Sequence, residues 1–211
     1  ATAYGAGGGK IVTIPAGQPF AGRSAGGGTR QQVFGNSFYG SGYPGVASRG
    51  VSGLGLPFFF WPVVFTGGIG TAAYLHDSDE YGRPDNTSRP GGPLAQAQFQ
   101  SNSTSSTFHV VADNTTIASL IASITANCSA DFTTANSSWA PLPFNSSDTD
   151  PQPEQAVQFY RASSVMLSLD GYNDTSALSN DTNAAPASLP SGVDMTLLTC
   201  LNDTIGQSVP L

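Results

Sequence analysis

An apolar run at residues 54–65, Leu-Gly-Leu-Pro-Phe-Phe-Phe-Trp-Pro-Val-Val-Phe, constrains the fold more than any other part of this sequence. No charged residue lies between Arg49 and Asp77, so the surrounding uncharged stretch is long enough to cross a membrane as a helix. Pro57 and Pro62 argue against that helix, because each lacks a backbone N–H and clashes with the preceding turn. A membrane span is therefore the minor interpretation, and we do not expect membrane contact.

The better interpretation of the run is two short extended segments, residues 57–61 and 63–65. Four aromatic residues stand in a row within the first segment, and they cannot all face one side of a strand because side chains alternate. Either the rest of the chain covers both faces of the run, or another molecule covers one of them.

The chain divides into two parts of different chemistry. Residues 1–76 hold four basic residues and no acid, whereas residues 77–211 hold three arginines and all fourteen acids, a net charge of −11. All but three of the 25 glycines lie at or before Gly92. We therefore predict a Gly- and aromatic-rich, basic, unglycosylated assembly region at residues 1–92 and an acidic, N-glycosylated α+β region at residues 93–211. The overall charge of −7 argues against a nucleic-acid partner.

Asparagine occurs mostly within Asn-X-Ser/Thr triplets, the acceptors for N-glycans. Nine of the eleven asparagines lie in such triplets, all of them after Arg83, whereas chance would give about two or three for this Ser and Thr content. The alternative is that these residues only form loops. The density favours passage through a secretory pathway and an extracellular location, secreted or at the cell surface. The predicted sites are Asn86, Asn102, Asn114, Asn127, Asn136, Asn145, Asn173, Asn180 and Asn202.

A secreted chain with two cysteines permits one disulfide, between Cys128 and Cys200. Closing a loop of about seventy residues would contribute roughly 3–4 kcal/mol in the chain-entropy model. Two cysteines without a neighbouring histidine do not supply the four ligands of a zinc site, so we predict neither a metal nor another cofactor.

In the first part of the chain, the sequence pattern predicts loops interrupted by glycines, with short strands at residues 11–14, 31–34 and 71–76. Ordering glycine costs backbone entropy, so aromatic side chains must hold these loops in place. The alternative is a flexible low-complexity arm. We favour an ordered, irregular β structure.

The second part predicts a β-hairpin from residues 94–100 and 107–112, followed by helices at residues 115–126, 153–169 and 193–201. The hairpin strands alternate apolar and polar residues, and apolar positions of the first helix form one face. The predicted fold class is α+β: an irregular, Gly- and aromatic-rich β half, then a β-hairpin with about three helices linked by one disulfide.

No group of residues forms a convincing catalytic motif. Residues 22–26 match a serine-hydrolase elbow, and residues 40–45 match a dinucleotide-binding pattern, but neither has the required flanking elements. His76 could act as a general base, whereas His109 fits a structural position in a strand. The acids within residues 77–85 lack the spacing of a Ca²⁺ loop. We predict that the protein is not an enzyme, with a hydrolase as the weak alternative.

Four segments carry a resemblance to known proteins. Residues 14–23 (Ile-Pro-Ala-Gly-Gln-Pro-Phe-Ala-Gly-Arg), 26–30 (Gly-Gly-Gly-Thr-Arg), 39–45 (Tyr-Gly-Ser-Gly-Tyr-Pro-Gly) and 58–62 (Phe-Phe-Phe-Trp-Pro) together resemble a group of secreted or surface glycoproteins of mushroom-forming, basidiomycete fungi. The resemblance implies a fungal surface or cell-wall setting. It implies no mechanism and no functional residue.

These observations predict an extracellular structural protein that assembles with copies of itself into a filament or surface layer. The basic and acidic parts would attract each other between copies, and a contact between two different surfaces of identical chains propagates when it does not close. The expected interface consists of aromatic residues of the first part: Phe58, Phe59, Phe60, Trp61, Tyr39 and Tyr43.

The alternative function is a carbohydrate-binding or adhesion module of the cell wall, with a wall polysaccharide as its partner. Exposed aromatic rings stack on the apolar faces of sugars. The candidates for such stacking are Tyr39, Tyr43, Trp61 and Trp139.

Overall fold

The computed structural model describes residues 5–43, 49–67 and 72–211. Within these ranges the chain forms two β-sheets and three α-helices, and one disulfide joins Cys128 to Cys200. This result confirms the mixed helix and sheet class and the predicted disulfide.

The larger sheet has five strands, all paired antiparallel, and it occupies the second part of the chain. Its order is β5-β3-β4-β7-β6. The predicted hairpin forms its centre, because each strand alternates residues between two buried surfaces. The strands are β3 (Leu94–Gln100), β4 (Thr107–Asp113), β5 (Leu142–Pro143), β6 (Ala156–Tyr160) and β7 (Val165–Leu169).

Two helices cover one face of this sheet. They are α2 (Asn114–Cys128) and α3 (Met195–Ser208), which pack on each other and share a hydrophobic core with β3, β4 and β7. Asp113 caps α2 and accepts from the Thr116 N–H at 3.0 Å. Asp194 caps α3, which therefore begins two residues later and ends seven residues later than predicted.

Residues of the first part cover the opposite face. Its elements are β1 (Val12–Thr13), β2 (Ser24–Ala25), the single-turn helix α1 (Ser78–Tyr81) and 3₁₀ turns at Arg30–Gln32 and Ala73–Leu75. The strand predicted at residues 31–34 is thus wrong, since a 3₁₀ turn occupies residues 31 and 32 and Phe34 forms only an isolated bridge with Tyr160. The strand predicted at residues 71–76 is also a 3₁₀ turn where it is described, and residue 71 lies outside the described residues.

The apolar run forms the centre of this second core. Phe58, Trp61 and the three residues 63–65 are buried in one cluster with Val111 of β4 and Met166 of β7. The run forms no regular strands, but it is covered on most sides by its own chain. The division of the chain at residue 92 stays a prediction, although residues from both sides of it share this core.

The helix predicted at residues 153–169 is wrong. This segment forms a 3₁₀ turn at Pro153–Gln155 and then the hairpin β6–β7. The hairpin reverses through Arg161, Ala162 and Ser163, whose φ angles of 47°, 50° and 60° place three successive non-glycine residues in the left-handed region. These residues lack the Gly and Asn signals by which such turns are recognised, so the helical spacing of their apolar neighbours misled the prediction.

A wholly buried arginine supports this turn. The guanidinium of Arg161 donates to Asp113 at 3.0 Å and to the Pro210 carbonyl at 2.6 Å, and it lies 3.5 Å from the centre of the Phe60 ring. Burial lowers the pKa of Arg161 to about 10. The side chain thereby joins the turn to the start of α2, to the C-terminal segment and to the apolar run.

Among the described residues, we find no helix that combines the length and the apolar character needed to span a membrane.

Candidate functional site

The structure divides the six predicted interface residues into buried and exposed ones. Tyr39, Tyr43, Phe58 and Trp61 lie in the core, and the Tyr39 hydroxyl donates to the Val63 carbonyl at 2.6 Å. Burial raises the pKa of both tyrosines well above the ordinary value. This corrects the predicted interface. The rings belong to the layer of the first part that covers the sheet face opposite α2 and α3. Phe60 is half-buried, and Phe59 keeps 53% of its surface exposed.

Phe59 forms the wall of an apolar groove of about 270 Å³ on the first part of the chain. Its floor is Trp61, whose indole packs against Phe20 at 5.7 Å between ring centres. The backbone carbonyls of Trp61 and Pro62 accept from the buried Arg89, so the floor is held firmly. The other apolar lining residues are Val12, Ile14, Pro15, Ala25 and Pro90.

A strand edge borders the groove. β1 pairs with β2 on one side, and within the described residues no strand pairs with its other side. Val12 lines the groove, and the neighbouring Ile11 is 62% exposed. Apolar side chains beside a free strand edge are features that another chain can bind.

Most of the positive charge of the first part is turned inward. Arg23 pairs with Glu80 at 2.8 Å, and Arg30 and Arg49 donate to backbone carbonyls of Val209 and Ser176. Lys10 is the exposed cation next to β1. Charge attraction between copies would therefore act mainly through Lys10, and it would be weaker than the formal charges suggest.

The sequon asparagines lie mainly at the surface. Asn86 and Asn202 are half-buried, and the other seven are exposed. The Asn202 side-chain oxygen accepts from the Tyr160 hydroxyl at 2.6 Å, so this side chain already has a partner within the fold. The exposed side chains are those to which a bulky hydrophilic glycan can attach without disturbing the fold: Asn102, Asn114, Asn127, Asn136, Asn145, Asn173 and Asn180.

Asn86 has a special position because its own triplet reaches the groove. Ser88 lines the groove, and its N–H donates to the Asn86 side-chain oxygen at 2.8 Å. Asn86 also falls within residues 1–92, so the surface without sequons ends before that predicted boundary. A glycan on Asn86 would stand at the rim of the groove.

A second exposed aromatic ring lies on the acidic part. Trp139 is 56% exposed and lines a depression of about 350 Å³ together with Leu142, Gln98 and Asn136. The segment around it is attached to β3, since the Ser138 N–H donates to the Gln98 carbonyl at 2.8 Å.

The candidate catalytic residues lie apart from one another. The Nδ1 of His76 lies 2.9 Å from the Phe65 carbonyl, to which it donates, and Nε2 of His109 lies 3.1 Å from Asp170. Ser24 belongs to β2 and lacks the strand-to-helix turn of a nucleophile elbow. The dinucleotide pattern at residues 40–45 lies partly outside the described residues.

Three of the four acids of the predicted turn already have partners. Asp77 caps α1 and accepts from the Glu80 N–H at 2.9 Å, Glu80 pairs with Arg23, and Asp85 pairs with Arg83 at 3.1 Å. The described residues contain no group of three or more acids, histidines and cysteines placed to bind a metal ion.

Comparisons with protein-family models, with curated proteins and with solved structures gave no match to this chain. The feature that sequence reasoning missed is the groove, and with it the position of the predicted site Asn86 next to Ser88 of the groove lining. The alternation of buried Phe58 and exposed Phe59 contains a signal for the groove, but only once the neighbouring sheet is known to cover Phe58.

Proposed function

We propose that the protein is an extracellular, N-glycosylated structural protein whose first part binds a second copy, so that copies assemble into a filament or surface layer. The observation that carries the proposal is the groove beside Phe59, which stays apolar and open after the chain has covered the rest of its apolar run. The density of sequons and the disulfide support the extracellular setting.

The partner is a second copy because the two parts of the chain differ in charge. Lys10 is exposed two residues before β1, whereas residues 77–211 carry a net charge of −11. The exposed sequons lie on that acidic part, so glycans would restrict contact to the surfaces between them. Since the two surfaces differ, the contact need not close into a ring.

The test compares two substitutions of exposed apolar residues. In protein secreted from an N-glycosylating host, Phe59→Ser should abolish assemblies seen by electron microscopy and light scattering, because it removes the wall of the groove. Met195→Ser is the matched control, since Met195 is 55% exposed at the start of α3 and lines neither the groove nor the depression around Trp139. Both variants should keep the thermal stability of the parent.

Two results would contradict the proposal. One is a parent protein that stays a monodisperse monomer at high concentration and low salt. The other is assembly by Phe59→Ser that equals assembly by the parent. Intact-mass measurement before and after removal of glycans tests the glycoprotein part separately, and a natural-source mass of 21.6 kDa would refute it.

Binding of a cell-wall polysaccharide is the second candidate function, and the exposed indole of Trp139 favours it. The structure buries the other three rings predicted to stack on sugars, so Trp139 alone of that set offers an open face. Retention on chitin or β-glucan that disappears in Trp139→Ala would support this function.

A further inference from the structure

We infer that Trp139 is the packing platform for the N-glycan attached to Asn136, so that the protein's own sugar covers this exposed apolar surface. The inference rests on the glycosylation in the proposed function. It goes beyond that proposal because it assigns one glycan a specific binding site on the protein.

The attachment point and the ring belong to the same depression. Asn136, Trp139 and Leu142 all line it, and all three are exposed. Asn136 and Trp139 are three positions apart in the sequence, so even an extended chain places their Cα atoms no more than about 11 Å apart. The first sugars of a glycan on Asn136 therefore emerge directly over the depression.

Hydrogen bonds fix the ring relative to the attachment point. The Asn136 carbonyl accepts from the side-chain amide of Gln98 at 3.0 Å, which ties it to β3. The indole Nε1 of Trp139 donates to the Thr134 carbonyl at 3.1 Å, which sets the orientation of the ring. Sugar and ring thus meet with little additional ordering of the protein, which favours their association.

The chemistry of the lining suits a neutral sugar. It combines the indole and Leu142 with amide and hydroxyl groups of Gln98 and Ser137, and it contains no ionisable side chain. A pyranose ring has an apolar face that stacks on an indole, and its hydroxyl or acetamide groups form hydrogen bonds with neutral polar residues.

Occupation by the protein's own glycan would also make the depression a poor contact for another protein. An occupied Asn136 forms part of its wall, so an approaching protein surface would collide with the sugar. A cell-wall polysaccharide would have to displace a sugar that is already attached beside the ring.

The fluorescence of the two tryptophans provides a direct test. Trp61 is 4% exposed, so quenching by acrylamide reports on Trp139. In protein secreted from an N-glycosylating host, Asn136→Gln should raise the quenching constant about twofold, because the ring loses its cover. Asn180→Gln removes a different exposed sequon and should leave quenching unchanged. Trp139→Phe should remove the quenchable fraction, which verifies the assignment.

Mass spectrometry of glycopeptides gives the occupancy of Asn136 in the same samples. An unoccupied Asn136 would overturn the inference, as would equal quenching of parent and Asn136→Gln when the site is occupied. Equal increases in Asn136→Gln and Asn180→Gln would show general shielding and overturn it too. If the fully glycosylated parent is retained on chitin or β-glucan through Trp139, an external sugar occupies the ring, and the inference is overturned. Assembly is measured separately by microscopy, so the proposed function can fail or hold whatever the quenching experiment shows for Asn136.

Discussion

Replacing Arg161 by methionine should be among the most destabilising single changes in the described structure. Methionine has a similar length and no charge, so it fills most of the space but leaves the Asp113 carboxylate buried without its cation. Breaking one partner of a buried pair costs about 3–5 kcal/mol. The lost contacts also include the Ser164 hydroxyl at 2.7 Å and the Phe60 ring.

Urea unfolding followed by tryptophan fluorescence measures this free energy. For a chain of this length, each kcal/mol corresponds to about 2–4 °C, so the melting temperature should fall by roughly 10 °C. Arg83→Met is the matched control, because Arg83 forms an exposed pair with Asp85 whose loss should not change stability measurably.

The double variant Asp113→Asn/Arg161→Met separates the pair from its surroundings. Removing both charges should cost less than the sum of the two single changes, because neither variant residue is then a buried unpaired charge. Two results would refute the reasoning: a loss for Arg161→Met no larger than that for Arg83→Met, or single-variant losses that add.

Three further predictions concern the disulfide, α3 and a buried tyrosine. Replacing Cys128 and Cys200 by serine should lower the free energy of unfolding by about 4 kcal/mol, since the disulfide closes a sequence separation of 72, and unfolding unchanged by reduction would contradict this. Gly206→Ala should destabilise α3 by about 1–2 kcal/mol in thermal melts, because the new Cβ would overlap the Phe34 ring. Alanine normally favours a helix over glycine, so the expected loss is opposite in sign to the helix propensity. The added change Phe34→Ala should relieve the overlap. Burial raises the pKa of Tyr81 to about 12, so its neutral form adds stability below pH 10 that is lost as the pH rises to 12. In a pH titration followed by tyrosinate absorbance, fewer tyrosines should therefore ionise near pH 10 in the folded protein than in urea. Tyr81→Phe should reduce this difference.

The elements with a clear period were predictable from the sequence. The hairpin β3–β4 was found because apolar residues alternate along both strands, and α2 because apolar residues recur at helical spacing. The disulfide followed from having two cysteines in a chain rich in sequons.

The remaining elements depend on contacts between distant residues. Nothing local marks Arg161 as the first residue of a reversal, because its left-handed backbone is held by its distant partners Asp113 and Pro210. Tyr39 and Tyr43 are likewise buried because they cover the second face of the sheet. That sheet includes β6 and β7, which the sequence pattern had assigned to a helix. Sequence reasoning therefore identified the apolar run as a central feature. It did not separate the exposed Phe59 from the buried Phe58 and Trp61.

The complete enclosure of Arg161 also bears on how long the protein would survive among secreted proteases. Trypsin-type enzymes cleave after Lys or Arg unless proline follows, and proline follows both Arg83 and Arg89. Beyond Arg49, the one remaining bond of this kind is then the bond after Arg161, and it lies in the interior of the fold. Digestion of the folded protein should accordingly cut no bond after residue 50, so residues 50–211 should stay within one fragment.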